Sequence, residues 1–145
     1  MSEPRTPIDE ATPADDLKVD FLGLARRNDA FRRVILTGKF SQVVAMTIPV
    51  DEEIGEEVHE HVDQLLVFVE GRAEAVLDGD RFPVAPGELV FVHAGTRHNF
   101  INVGDVPLRL MTVYAPPEHA PDTVHLTREE AERAEAEGTD QPPRS

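Results

Sequence analysis

Two histidines, His59 and His61, stand two residues apart in the segment GEEVHEHVDQLLVFVEG, residues 55–71. In extended chain, side chains alternate between faces with a period of two, so both rings point the same way and Glu57 joins them. Gln64 follows at the mouth of the apolar run Leu65–Val69, where it can turn back toward the same spot. A third imidazole, His98, opens the stretch HNFIN after the loop HAGTR. Two or three imidazoles and one oxygen donor, gathered from neighbouring strands, suit a divalent transition metal such as Fe, Mn, Ni, Cu or Zn. The chain has no cysteine, so any metal must sit on nitrogen and oxygen.

Each of these residues also has an ordinary reading. A His-x-His pair arises often by chance, and a lone histidine is usually a surface or satisfied core residue. His93 sits at a strand end, as a structural or outer partner. His119 and His125 fall after the strand series and read as structural or solvent-facing. The run Asp51–Asp63 holds seven carboxylates and no base, the pattern of a solvated acidic loop.

The elements that must position the candidates are all β. Arg33–Thr37 and Gln42–Ile48 are rich in Val, Ile and Thr, with a turn at Gly38. Leu65–Val69 and Arg72–Leu77 follow, and Asp78-Gly79 marks a type I′ hairpin into Arg81–Val84. Pro86-Gly87 suits a type II turn before Leu89–Val92. His98–Asn102 and Leu108–Tyr114 complete about eight short strands, the punctuation of an all-β sandwich or barrel.

The ends differ in composition. Residues 1–30 form an N-terminal arm, Pro- and Asp-rich and expected to be disordered over 1–16, with a short helical or extended piece from residue 17. Residues 118–145 form an acidic tail in which Thr127 and Glu130 make a capping box for a solvated helix near 128–137. The net charge is −14, so phosphate backbones and anionic lipid would repel the chain. No apolar run or leader-like segment is apparent, which predicts a cytoplasmic protein without nucleic-acid or membrane partners.

The sequence resembles the cupin superfamily over about residues 31–117. The family's second motif reads here Gly87-ELVFV-His93-Ala94-Gly95-TR-His98-NFI-Asn102, with His93 where the family has Pro. The first motif is compressed: three residues separate Gly55 from His59, two separate His61 from Gln64, and six separate Gln64 from Gly71. Val34–Met46 and Glu53–Gln64 are similar to small single-domain cupins. The resemblance implies an antiparallel double-stranded β-helix (a jelly-roll barrel), a homodimer through the outer sheets, and ligand roles for His59, His61, Gln64 and His98. His59, five residues before Gln64, has the more regular position; whether Gln64 or Glu57 completes the set stays open. Gln64 stands where the family has Glu, and a neutral amide cannot accept a proton, leaving Glu57 as the candidate catalytic carboxylate.

On function, the resemblance implies a metal-dependent enzyme acting on a small organic molecule, of oxygenase, isomerase or cyclase type. A non-catalytic binding or sensing module is the alternative, and a purely structural cupin a third. The pocket is expected to be lined by Phe68, Phe91, Phe100, Met46 and Met111 where these face inward. Arg72, Arg81, Arg97 and Arg109 are scattered, which argues against phosphorylated substrates.

Overall fold

The computed structural model describes residues 18–142. The disorder expected over residues 1–16 and the last three residues lie outside that span. The element order is α1 (Phe21–Arg27), β1 (Arg32–Thr37), β2 (Gln42–Ile48), β3 (Asp63–Glu70), β4 (Ala73–Leu77), β5 (Asp80–Val84), β6 (Leu89–Val92), β7 (His98–Asn102), β8 (Leu108–Ala115), β9 (Val124–His125) and α2 (Arg128–Glu137). The eight long strands are those read from the turn punctuation. Asp78 and Gly79 both take positive φ, 48° and 89°, and close the two-residue hairpin that pairs Leu77 with Asp80. Gly87, at φ 90°, makes the turn into β6 while its N–H donates to the Phe68 carbonyl at 2.7 Å.

The strands form a six-stranded sheet, β6-β3-β8-β2-β1-β9, facing a three-stranded one, β5-β4-β7. All pairings are antiparallel. This is the jelly-roll double-stranded β-helix, with the hydrogen bonding divided between two sheets rather than continuous round a barrel. Alternation decides which side chains enter the space between them. On β3, Gln64, Leu66 and Phe68 are buried, and on β8 Leu108, Leu110 and Tyr114. Phe68 meets Phe100 of β7 across the gap, ring centroids 5.5 Å apart. Each such buried ring contributes about 1.5–3 kcal/mol.

Two of the five expected pocket residues face elsewhere. Met111 alternates outward between Leu110 and Thr112, into a second apolar cluster with Leu24 and Ala25 of α1 and Val69. Phe91 lies on the outer face of edge strand β6 and is exposed. Phe68, Phe100 and Met46 are inside. No helix among the described residues is long and apolar enough to cross a membrane.

Candidate metal centre

Residues 54–62 carry no long strand, yet the backbone there is held as tightly as if they did. Glu57 and His98 exchange two backbone hydrogen bonds, each 2.9 Å, in an isolated antiparallel bridge. The Gly95 N–H donates to the His59 carbonyl at 2.8 Å. Gly95 does so from the loop 93–97 at φ 87°, a conformation that glycine adopts without a Cβ penalty. The two motif segments are therefore stitched together by main chain, and period-two alternation puts Glu57 and His59 on the same inward side.

A ligand atom from each of Glu57, His59 and His98 lies within 4.8 Å of the others. The imidazoles of His59 and His98 stand 5.2 Å apart by centroid. The His98 ring is oriented by its own loop: Nδ1 is 2.8 Å from the Thr96 carbonyl, to which it donates, leaving a lone pair on Nε2. His59 Nδ1 lies 3.2 Å from Glu118 Oε2, and its Nε2 approaches Glu57 Oε1 at 3.4 Å. Glu57 in turn faces the buried guanidinium of Arg32, 3.9 Å away.

The charges follow from these contacts. Burial opposes protonation of His59, but the Glu118 and Glu57 carboxylates outweigh it and raise its pKa to about 9. Burial lowers the pKa of His98, which is neutral at pH 7. Burial works to raise Glu57, but its contact with His59 and the Arg32 charge carry it below the usual carboxylate range. An ionised carboxylate and a neutral imidazole already have the protonation states that metal ligation needs. His59 reaches its own by shedding one proton.

Buried polar atoms test whether a metal fits. Nε2 of His98 and Oε1 of Gln64 are buried without a hydrogen-bond partner among the described residues, and Nε2 of His59 is buried with only the Glu57 carboxylate, 3.4 Å away, before it. Buried polar groups are rarely left unpaired, and two imidazoles beside a carboxylate make the donor set of a divalent cation once His59 gives up its proton. Gln64 points inward from β3, its Nε2 donating to Thr112 Oγ1 at 3.0 Å, which leaves the amide oxygen free. His61 is not brought to the cluster. Glu60 and His61 form a turn, so alternation breaks after His59, and the His61 ring is exposed.

Asn102, the last fixed position of the second motif, is structural. Its Nδ2 donates to the carbonyls of Ile48 and Val106, each at 3.0 Å, and its Oδ1 accepts from Gly104 N at 2.9 Å. His93 is exposed and stacks near Phe91.

Three residues around the cluster carry no role in the sequence reading, Arg32, Glu118 and Asp140, and a fourth, His119, has there only a structural or solvent-facing one. Gln42 of β2, almost wholly buried, places two of them. Its Nε2 donates to the His119 carbonyl at 2.8 Å, and its Oε1 accepts from the N–H groups of Glu118 and His119 at 3.2 and 3.0 Å. Helix α2, capped by Thr127 as expected, buries Ala131 against the core and returns the chain to His119. There Asp140 Oδ2 accepts from His119 Nδ1 at 2.7 Å. The 118–140 segment is thus a wall of the site rather than a solvated tail. His119 and His125, expected to be structural or solvent-facing, are both buried. Glu-His at 118–119 was a visible signal, while Asp140 had none.

A family model for the cupin domain matches residues 44–114. Over 116 residues the chain is 40% identical to the uncharacterized protein YrkC of Bacillus subtilis, covering 76% of this chain and 62% of that protein. It is 33% identical over 78 residues to the polyketide synthase CurC of Streptomyces cyaneus, covering 54% of this chain and 51% of that one. The chain therefore spans less than two thirds of the length of both proteins. The crystal structure of BH2720 from Bacillus halodurans superposes with a TM-score of 0.83 at 37% identity, covering 86% of this chain and 99% of that chain.

Proposed function

The chain belongs to the cupin superfamily, and from that premise we propose that it is a divalent-metal-dependent cupin enzyme acting on a small organic molecule. One observation carries the reading: ligand atoms of Glu57, His59 and His98 converge within 4.8 Å, with both imidazole Nε2 atoms buried and that of His98 unpartnered among the described residues. Glu57, His59 and His98 would hold the ion, with Gln64 Oε1 as a fourth donor. A bound divalent cation supplies Lewis acidity there. The chain's own residues do the rest. Thr96 and Glu118 fix the two rings, Arg32 keeps Glu57 ionised, and Phe68 and Phe100 close the floor against water. The Streptomyces cyaneus relative is named a polyketide synthase, which supports a small organic substrate; the cyclase, isomerase or oxygenase type of the reaction rests on the cupin resemblance.

We also propose a homodimer through the outer face of the six-stranded sheet, where Leu89 is 53% and Phe91 41% exposed. Elemental analysis of tag-free protein tests the central reading. One equivalent of a transition metal is expected, and metal-free protein that fails to take up Fe, Mn, Ni, Cu or Zn on dialysis overturns it.

A further inference from the structure

Beside the metal cluster lies a cavity of about 100 Å³, lined on one side by Arg32, Glu57 and His59 and on the other by Glu118, His119, α2 and Asp140. Two of its buried groups play no part in the cluster. His119 and Asp140 have side chains only 7% and 5% exposed, yet His119 Nε2 has no partner among the described residues. Arg32, 5% exposed, leaves its Nε similarly unpartnered.

The direction of each hydrogen bond can be worked out. The Ala120 N–H donates to Asp140 Oδ1 at 2.8 Å, so Oδ2 is the atom that faces His119. The hydrogen bonds it accepts from His119 and from the Ala120 N–H hold Asp140 ionised against the effect of burial, and an ionised carboxylate can only accept. The ring proton of neutral His119 therefore sits on Nδ1, and Nε2 is left as a bare acceptor. Burial keeps the ring neutral. Arg32 Nε is a fixed donor. The cavity wall holds six carboxylates against two guanidinium groups, which disfavours an anionic occupant.

We propose that this cavity is a ligand subsite for a small neutral molecule bearing both a hydroxyl and a carbonyl, with the hydroxyl donating to Nε2 of His119 and the carbonyl accepting from Nε of Arg32. Asp140 is the positioning residue that fixes the acceptor. The inference rests on the reading that the ligand binds beside the metal cluster, but it does not require the metal to be present.

The test titrates hydroxyacetone and methoxyacetone into full-length protein, as purified and after chelation, by ligand-observed NMR. Methoxyacetone keeps the carbonyl and loses only the donor. Hydroxyacetone is expected to bind roughly tenfold tighter, the value of one hydrogen bond. In Asp140→Asn the amide nitrogen faces His119 Nδ1 and donates to it, which moves the ring proton to Nε2. Either ligand can then accept, and the preference is expected to vanish. Nitrogen-15 shifts of the ring report the same change of tautomer without any ligand. His119→Phe keeps the edge-on packing against Tyr114 and should also abolish the preference. Absence of binding, equal binding to wild type, or a preference surviving in Asp140→Asn overturns the proposal. Zinc uptake by the same samples is measured separately, so a failed metal centre and a failed subsite give different results.

Discussion

His59 and His98 meet because strand register brings them together, whereas His119 and Asp140 meet because a helix carries the chain back over the cavity. The first pair is joined by main-chain bonds between Glu57 and His98 and between Gly95 and His59. The second is joined through side chains, Gln42 to the 118–119 backbone and Asp140 to His119. Backbone pairing leaves a spacing pattern in the sequence. Side-chain clamping does not. The two regions also divide the work: one offers lone pairs to a cation, the other shapes and closes the space where an organic molecule would sit.

The sharpest test of that division is to remove a ring from each side. His98→Ala should lower metal affinity by more than about 100-fold, since a missing direct ligand costs at least what a missing supporting partner does. The fold should persist, because the bridge to Glu57 is main chain. His61→Ala, on the exposed turn, should leave metal content unchanged. Equilibrium dialysis with metal analysis reads both. If His61→Ala loses the metal and His98→Ala does not, the centre lies elsewhere.

Proton competition comes next in size. In metal-free protein the His59 pKa of about 9 exceeds its ordinary 6.5. The stabilisation this implies is complete below pH 6.5 and is lost as pH rises through 9, on the order of 3 kcal/mol by linkage. Metal binding has the opposite sign, because the ion must displace that proton. Affinity should rise about tenfold per pH unit between pH 7 and 9. Denaturant midpoints of metal-free protein and metal titrations at three pH values check the pair. A flat affinity profile would remove His59 from the ligand set.

A smaller change concerns Gln64. Its amide oxygen is free only because Thr112 takes the amide nitrogen. Gln64→Glu adds a negative charge beside the ion and should tighten divalent metal about tenfold, a Coulomb gain offset in part by the cost of burying the new carboxylate. An unchanged affinity would mean that Gln64 packs beside the site without touching the ion.

The same contrast explains how much was legible beforehand. Turn residues such as Asp78-Gly79 and Pro86-Gly87 fix strand ends by local backbone chemistry, so the eight strands can be read directly, whereas the jelly roll rests on the resemblance carried by the motif residues. Glu57 and His59 are readable because alternation holds along their stretch, and His98 because it opens a separate strand within the second motif. His61 lies outside the cluster because the turn at Glu60–His61 interrupts that alternation, and nothing in the spacing shows where extended chain stops. Met111 and Phe91 have the residue type of a pocket lining, but parity along β8 and β6 turns them outward. Asp140 is 21 residues from its partner, on the far side of a helix whose apolar face is little more than Ala131. Only tertiary packing brings it home.

The smallest expected effect bears on that helix. Thr127 Oγ1 accepts from the Glu130 N–H at 3.1 Å, and Glu130 Oε1 accepts from the Leu126 N–H at 3.3 Å, the two halves of the capping arrangement. Thr127→Ala removes the first and should cost about 1 kcal/mol. Were α2 a solvated appendage, that loss would fray the helix and leave global unfolding unmoved. Because Ala131 is buried in the main core and Asp140 is clamped to His119, the helix should instead unfold with the barrel. The denaturation midpoint should then shift by the full amount while metal affinity stays the same. Urea unfolding followed by far-ultraviolet dichroism, beside a zinc titration of the same variant, separates the cases. An unmoved midpoint, or a helix that melts before the strands, would show that the wall of the cavity is not integral to the fold.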